Sequence, residues 1–293
     1  MTFPSKKAPE KSKTVFKGIK LHNDIFNDRL KVLDYEYFDE QLVREVIAYA
    51  RKNSFGKIIA NIREEHIKLF NKRGFINEGS IEGFFRGETA YLLSFFLDVK
   101  RGRSPMSDKE DEILSECLKN ARRFVPLEER DYLLRAAIKQ DIYQMIDLFS
   151  AVFDTYPSPV FDPEYLGEIM DRNVLFWVAE KNKRIIAIAS AEMDFDNLNA
   201  EITDCVTLQE ERGKNILSEL IAKLESELVK RDIVSAYSLS RATNIGINKA
   251  LAKGGYRYKG RLVNNCHICG KYEDMNIWDK KLIDPARTEK NNI

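Results

Sequence analysis

The chain has 293 residues, enough for one large or two ordinary domains, and 44% of them are hydrophobic, enough to fill a core. Forty-seven basic residues against 46 acidic leave a net charge of +1, which excludes a strong electrostatic attraction to nucleic acid or to an anionic membrane. Four cysteines (Cys117, Cys205, Cys266 and Cys269) are too few in so long a chain for a disulfide framework. The lysine-rich start lacks the apolar stretch of a secretory signal, and no apolar run approaches the ~18 residues of a membrane span. A cytoplasmic protein is expected, with no nucleic-acid or membrane partner.

Residues 1–14 read as disordered. A first half follows over residues 15–107: a strand at Leu30–Tyr35, a helix at Glu40–Arg51, a strand at Lys57–Ile62, a short helix at Glu64–Lys72, and strands at Phe75–Arg86 and Thr89–Val99. A charged helix at Asp108–Phe124 lies in a linking segment, 108–130. The second half, 131–283, opens with a strand at Tyr132–Ile138 and a helix capped by Asp141, with Ile142, Met145, Ile146, Phe149 and Val152 at helical spacing. A second helix ends near Arg172. Strands follow at Leu175–Glu180, Arg184–Phe195 and Asn199–Leu208, then a long helix marked by Ile216, Leu217, Leu220, Ile221, Leu224 and Leu228. A strand at Ile233–Leu239, a short helix at Asn244–Lys253 stopped by Gly254-Gly255, and strands at Tyr256–Ile268 and Lys271–Trp278 complete it. Residues 284–293 read as a flexible tail. The six elements of the first half match the last six of the second, and local echoes agree. Lys72-Arg73-Gly74-Phe75 parallels Lys253-Gly254-Gly255-Tyr256, Glu78-Gly79 parallels Lys259-Gly260, and Arg86-Gly87 parallels Cys269-Gly270. The first half is expected to be a shortened repeat whose own strand-to-helix link, Glu36–Glu40, has no glycine.

Ala200–Ile216 carries the chemistry. A strand leads into a loop, Arg212-Gly213-Lys214-Asn215, and then into a helix starting at Ile216. The unpaired N–H groups and positive end of that helix form a site for phosphate, Gly213 lets a pyrophosphate approach, and Asn215 tolerates a left-handed backbone. Glu201 and Asp204 lie on the preceding strand. Their parity places them on opposite faces of a regular strand, and a bulge would bring both toward one cleft. Acylation of an amine needs a carboxylate to remove its proton, because an ammonium has a pKa near ~10.

These features resemble the GNAT superfamily of N-acetyltransferases. The resemblance implies an α+β fold with a mixed, mostly antiparallel central sheet flanked by helices, here preceded by the truncated GNAT-like half. It implies acetyl-CoA as co-substrate, with Val206, Thr207 and Leu208 beside its pantetheine arm and Arg212, Gly213, Lys214, Asn215 and Ile216 around its pyrophosphate. Glu201, six residues before Thr207, takes the role of general base, with Asp204 assisting. Glu210 and Asn215 depart from the family's loop pattern. Asn244 and Asn248 fall in the helix that completes the cofactor site, and Leu251 stands where a thiolate-protonating tyrosine is usual, which leaves water, Tyr256 or Asn248 for that role.

The blocks Gly83–Glu88, Ser238–Arg241, Asn264-Asn265-Cys266 and Glu273–Trp278 are similar to the β-lysine N6-acetyltransferase family. The resemblance implies transfer of acetyl to the terminal amine of β-lysine, giving the compatible solute Nε-acetyl-β-lysine. Such a pocket holds an ammonium with carboxylates and a carboxylate with an arginine or amides. Asp204, Glu273 and Asp274 are candidates for the first task; Arg241, Asn264 and Asn265 for the second. Other small amines, such as a polyamine or lysine, are the alternative substrates. Cys266-His267-Ile268-Cys269-Gly270-Lys271 resembles a zinc knuckle, the basis of a third reading as a binding module. A structural zinc needs four ligands and no second such pair exists, so no metal is expected. Homodimerisation is one of the tasks open to the first half, with sheet pairing and covering of the active site.

Overall fold

The computed structural model describes residues 13–119, 124–125 and 129–283. The expected tail and parts of the expected leader and linking segment lie outside these. The first half contains β1 (Lys13–Phe16), β2 (Ile19–Asp24), β3 (Arg29–Tyr35), α1 (Glu40–Lys52), β4 (Lys57–Ile62), α2 (Ile67–Asn71), β5 (Ile76–Phe85) and β6 (Glu88–Phe96). After α3 (Ser107–Lys119) come β7 (Leu133–Ala136), α4 (Ile142–Val152), α5 (Pro163–Arg172), β8 (Val174–Lys181), β9 (Arg184–Asp194) and β10 (Asn199–Thr207). The chain closes with α6 (Ile216–Val229), β11 (Ser235–Arg241), α7 (Ile245–Lys253), β12 (Arg257–Ile268) and β13 (Lys271–Lys281). Local chemistry sets these boundaries. Asp39 accepts from the Leu42 amide to start α1, whose Val43, Val46, Ile47 and Ala50 are buried on one side. Asn244 accepts from Gly246 and Ile247 to start α7.

Among the described residues thirteen strands form one sheet, in the order β1-β2-β3-β4-β6-β5-β12-β13-β11-β10-β9-β8-β7. The order reads as two copies of one arrangement meeting at β5 and β12. The first copy is larger than the six elements expected, because the β1–β2 hairpin corresponds to β8–β9. That hairpin was missed because its strands are short and polar; its signal was Lys17-Gly18, both at positive φ, which is the chemistry of a two-residue hairpin turn. β1 therefore begins inside the segment expected to be disordered. The echoes in the sequence occupy matching places. Gly74 and Gly255 end their helices at φ 86° and 83°, and Arg86-Gly87 and Cys269-Gly270 are both hairpin turns at positive φ. The irregularities repeat too: β5 slips register between Asn77 and Gly79 and between Ile81 and Phe85, and β12 slips between Tyr258 and Gly260 and between Leu262 and Cys266.

The copies join where Gly79 pairs with Gly260. Both have positive φ, 154° and 142°, and a Cβ on Gly79 would sit 2.6 Å from the Lys259 carbonyl oxygen. Each half has its own core. A third cluster spans the junction on the inner, facing surface of the sheet: Ile81, Phe84, Phe85, Ala90 and Leu92 from the first half, Leu262, Cys266, Ile268, Met275 and Ile277 from the second. No helix of the described residues is long and apolar enough to cross a membrane.

A Cβ on Gly260 would overlap the Glu78 carbonyl oxygen. Gly260→Ala is therefore expected to lose at least ~2 kcal/mol of stability in urea unfolding, through backbone strain at positive φ and lost junction packing.

Candidate active site

β10 pairs with β11 in parallel only over Asn199–Glu201 and Ser235–Tyr237; beyond that the two strands separate and leave a cleft. On the other side β10 pairs with β9, and here the ladder slips between Thr203 and Val206, with Asp204 at φ 47°. This is the bulge the parity problem required. Glu201 pairs with Glu192, and Thr203 with Ser190, so these four side chains share a face. Ser190 Oγ donates to Asp204 Oδ2 at 2.8 Å, which fixes Asp204 on that same face. The extra residue also inverts the parity of the remainder of β10 and places Val206, opposite Ile188, on the Glu201 side.

Glu201 is half-buried, and the Tyr237 hydroxyl lies 3.4 Å from its Oε2. Burial pushes its carboxyl up to about 7, with Glu192 and Asp204 adding to the rise and Lys31 opposing it. Burial likewise raises Asp204 to about 6, against hydrogen bonds from Ser190 and Tyr156. Tyr156 is itself held well above its ordinary value by burial and Asp204, so it stays a proton donor. Arg241 leans over the Phe153 ring at 5.7 Å, and its charge reaches Tyr156. Glu201, Asp204 and Arg241 thus belong to one inner-face site. Sequence reasoning missed Tyr156, Ser190, Glu192 and Tyr237; the last two lay at the same-face positions that the strand pairing fixes.

The Arg212–Asn215 loop before α6 is open, with a left-handed backbone at Gly213 and Asn215. Gly213 has φ 83° and open space where a Cβ would be; Asn215 is left-handed at φ 60°; Arg212, Lys214 and Asn215 are exposed ahead of α6. Arg212 Nε donates to the Thr207 carbonyl at 3.3 Å, and Lys214 pairs with Glu211 at 2.6 Å. These residues fit a pyrophosphate: unpaired helix N–H groups, two cations and a glycine where a ligand approaches closely. Val206 and Leu208 are buried, and the Leu208 amide donates to the Ile186 carbonyl, which leaves the cleft-facing part of the bulge as the source of any N–H for an oxyanion.

Other expected residues have structural duties. Asn248 is fully buried; its Oδ1 accepts from Ser240, Asn276 and Trp278, and its Nδ2 donates to the Arg241 and Asn244 carbonyls. Every polar atom of that side chain is occupied, which removes it as a proton donor. Asn244 caps α7. Leu251 is fully buried, and the Tyr256 hydroxyl lies beside Glu225 of α6. Glu273 and Asp274 alternate in β13 and face opposite sides. Glu273 shares the inner face with Met275 and Arg241 and accepts from Thr243. Asp274 lies on the other side, where it accepts from the Asn264 amide and bonds Glu110 of α3, whose carboxyl is raised to about 7. Asp274 is therefore not brought to the cleft.

Asn264 and Asn265 occupy the β12 bulge. The carbonyls freed from the ladder there accept from three cations of the segment before α3: Val263 from Lys57 at 2.8 Å, Asn264 from Arg101 at 2.8 Å, and Asn265 from Arg29 at 3.0 Å. Asn264, left-handed at φ 44°, also donates from Nδ2 to the Arg101 and Arg103 carbonyls. Asn265 is buried with its Oδ1 unpartnered among the described atoms. Cys266 is buried 3.5 Å from Arg29 Nη1, whereas Cys269 is exposed at the hairpin tip, and among the described residues no three metal-ligating side chains cluster.

A model of the acetyltransferase (GNAT) family matches residues 141–252. N-acetyltransferase YodP of Bacillus subtilis is 36% identical over 262 residues, covering 89% of this chain and 95% of that protein. A β-lysine N(6)-acetyltransferase of Methanosarcina mazei is 37% identical, covering 83% of this chain and 97% of its own, and one of Methanococcus maripaludis is 30% identical, covering 87% and 93%. Among solved structures, an N-acetyltransferase of Staphylococcus aureus Mu50 is 19% identical with a TM-score of 0.46, covering 53% of this chain and all of that one.

Two variants check these roles. Asn248→Ala leaves three buried donors without their shared acceptor and is expected to lose about 2–4 kcal/mol in chemical denaturation. Glu201→Gln removes a buried carboxylate. Because the folded-state value, about 7, lies above the ordinary one, the wild type is penalised where Glu201 is ionised. The variant should be more stable by about 1–3 kcal/mol above pH 7, and the gap should close as the pH falls toward 4.5.

Proposed function

Since the chain belongs to the GNAT family of acetyl-CoA-dependent acetyltransferases, we propose that it acetylates the N6 amine of β-lysine to give Nε-acetyl-β-lysine, a compatible solute. The observation that carries this reading is the near-full-length similarity to two β-lysine N(6)-acetyltransferases, which includes the first half as well as the catalytic half. The site chemistry agrees with it. An inner face that carries Glu201, Glu192, Asp204 and Glu273 suits a substrate with two amines.

Acetyl-CoA supplies an acetyl thioester, with the Arg212–Ile216 segment as the place for its pyrophosphate and the β10 edge beyond Glu201 for its pantetheine arm. The chain's own residues do the rest. Glu201 takes a proton from the bound ammonium, directly or through water, and its raised pKa makes it a base poised near neutral pH. Asp204, held by Ser190 and Tyr156, keeps negative charge beside the bulge and retains the amine. Backbone N–H groups of the bulge stabilise the oxyanion. Tyr156, a protonated hydroxyl beside Asp204, returns a proton to the leaving thiolate in this reading.

A panel of amines with a thiol-release readout tests the substrate: β-lysine should give the highest kcat/KM, and a clear preference for a polyamine or for lysine would refute it. Glu201→Gln should lower kcat about 10²–10⁴-fold with little change in KM for acetyl-CoA. In the wild type, kcat/KM should fall as the pH drops through about 7, because only the ionised carboxyl accepts a proton.

A further inference from the structure

The register of the double sheet identifies the first-half counterpart of each catalytic-half residue. Gly79 pairs with Gly260, and their hairpin partners are Leu92 on β6 and Ile277 on β13. Leu92 pairs with Asn61 on β4, and Ile277 with Leu239 on β11. Two residues earlier on these strands stand Ile59 and Tyr237, and their parallel partners are Lys31 and Glu201. Lys31 therefore occupies, in the first copy, the position of the base in the second.

Lys31 also turns toward the base. It shares a strand face with Arg29, two residues before it, and Arg29 reaches across to the Asn265 carbonyl and Cys266 on the inner side. The Lys20–Asp196 ion pair at 3.1 Å ties the neighbouring β2 to the β9–β10 turn, and Arg86 donates to the Asp196 carbonyl at 2.6 Å. These contacts bring the β2 side of the first half to the β9–β10 turn, and the Lys31 charge reaches Glu201 and opposes the effect of burial there. Lys31 is half-buried and, among the described residues, has no hydrogen bond or ion pair. Its charge is felt by Glu201 and Asp24, but neither carboxylate is in ion-pair contact with it, so a partly desolvated ammonium is left with room for a ligand's anion.

We propose that Lys31 binds the substrate's carboxylate, so that the first half selects amines that carry an acid group over plain polyamines. The proposal rests on the reading of an amino-acid substrate and gives the first half a share in specificity: the second half holds and deprotonates the amine, and the first half recognises the other end of the molecule. Arg241, the carboxylate partner expected from the sequence, instead lies over the Phe153 ring at 5.7 Å with its charge reaching Tyr156.

The test compares β-lysine with 1,4-diaminopentane, the same diamine without its carboxylate, in wild type, Lys31→Met and Lys31→Arg. In Lys31→Met, measured on the alkaline plateau of the pH profile where the Glu201 carboxyl is ionised in every variant, kcat/KM for β-lysine should fall about 10–100-fold, the range of a charged hydrogen bond, mainly through KM, with the diaminopentane value unchanged within about threefold. Lys31→Arg should restore much of the preference. Equal losses on both substrates, with the acid limb of the pH profile displaced, would show that Lys31 acts only on Glu201 and overturn the proposal; so would no effect on either. Thermal melts of each variant separate these outcomes from misfolding. If the wild type proves to prefer a different amine, the reading of β-lysine fails by itself, and the same comparison on lysine and cadaverine still decides whether Lys31 reads a carboxylate.

Discussion

Two glycines set the geometry of this molecule. Gly79 and Gly260 bring two backbones so close that neither can carry a side chain, and both need a φ that other residues rarely adopt. Through that contact two sheets become one, the junction cluster is formed from both halves, and the inner faces are turned toward each other. A larger residue at either position would separate β5 from β12. The first half would then lose its hold on β12, and the junction cluster of Ile81, Phe84, Phe85, Leu262, Met275 and Ile277 would open.

The β12 side of the junction is held by polar interactions that would be unfavourable singly. The β12 bulge releases carbonyls from the ladder, and buried carbonyls need partners. Arg29, Lys57 and Arg101 supply them, and Asp24, Glu78 and Asp28 in turn pair with these cations. Burial drives Lys57 down to about 8, so its ammonium depends on Glu78 and Val263. A network of this kind adds little net stability, because desolvation offsets the attraction, but it penalises any other register strongly. Its product is the position of the Asn264–Cys266 turn relative to β3.

Much of the catalytic half was legible because its signals are local. The apolar stripe of α6, the Asn244 cap and the glycine pair after α7 each act within a few residues, and so do the left-handed Asn215 and Gly213 ahead of α6. The bulge at Asp204 was legible only as a condition, two acids of opposite parity that needed one face. What escaped was long-range. Nothing local in Asn248 says that five groups from β11, α7 and β13 converge on it, and nothing in Asp274 says that α3 claims it. The first half's repeat was visible in turn glycines, since turns repeat their backbone chemistry, whereas its first hairpin was hidden by short strands of lysine, histidine and asparagine. Lys31 carried no signal at all until the sheet gave it a counterpart.

The correspondence of Lys31 with Glu201 also bears on why the two copies share one chain. Two identical subunits related by a two-fold axis must present the same residue from both sides of it. A glutamate in such an assembly would face a second glutamate, and like charges brought close would repel each other and raise both pKa values. Covalent fusion lifts that identity requirement. Once the copies are encoded separately, one side of the axis can reverse its charge while the other keeps its base, and a symmetric scaffold becomes able to bind a molecule whose two ends differ.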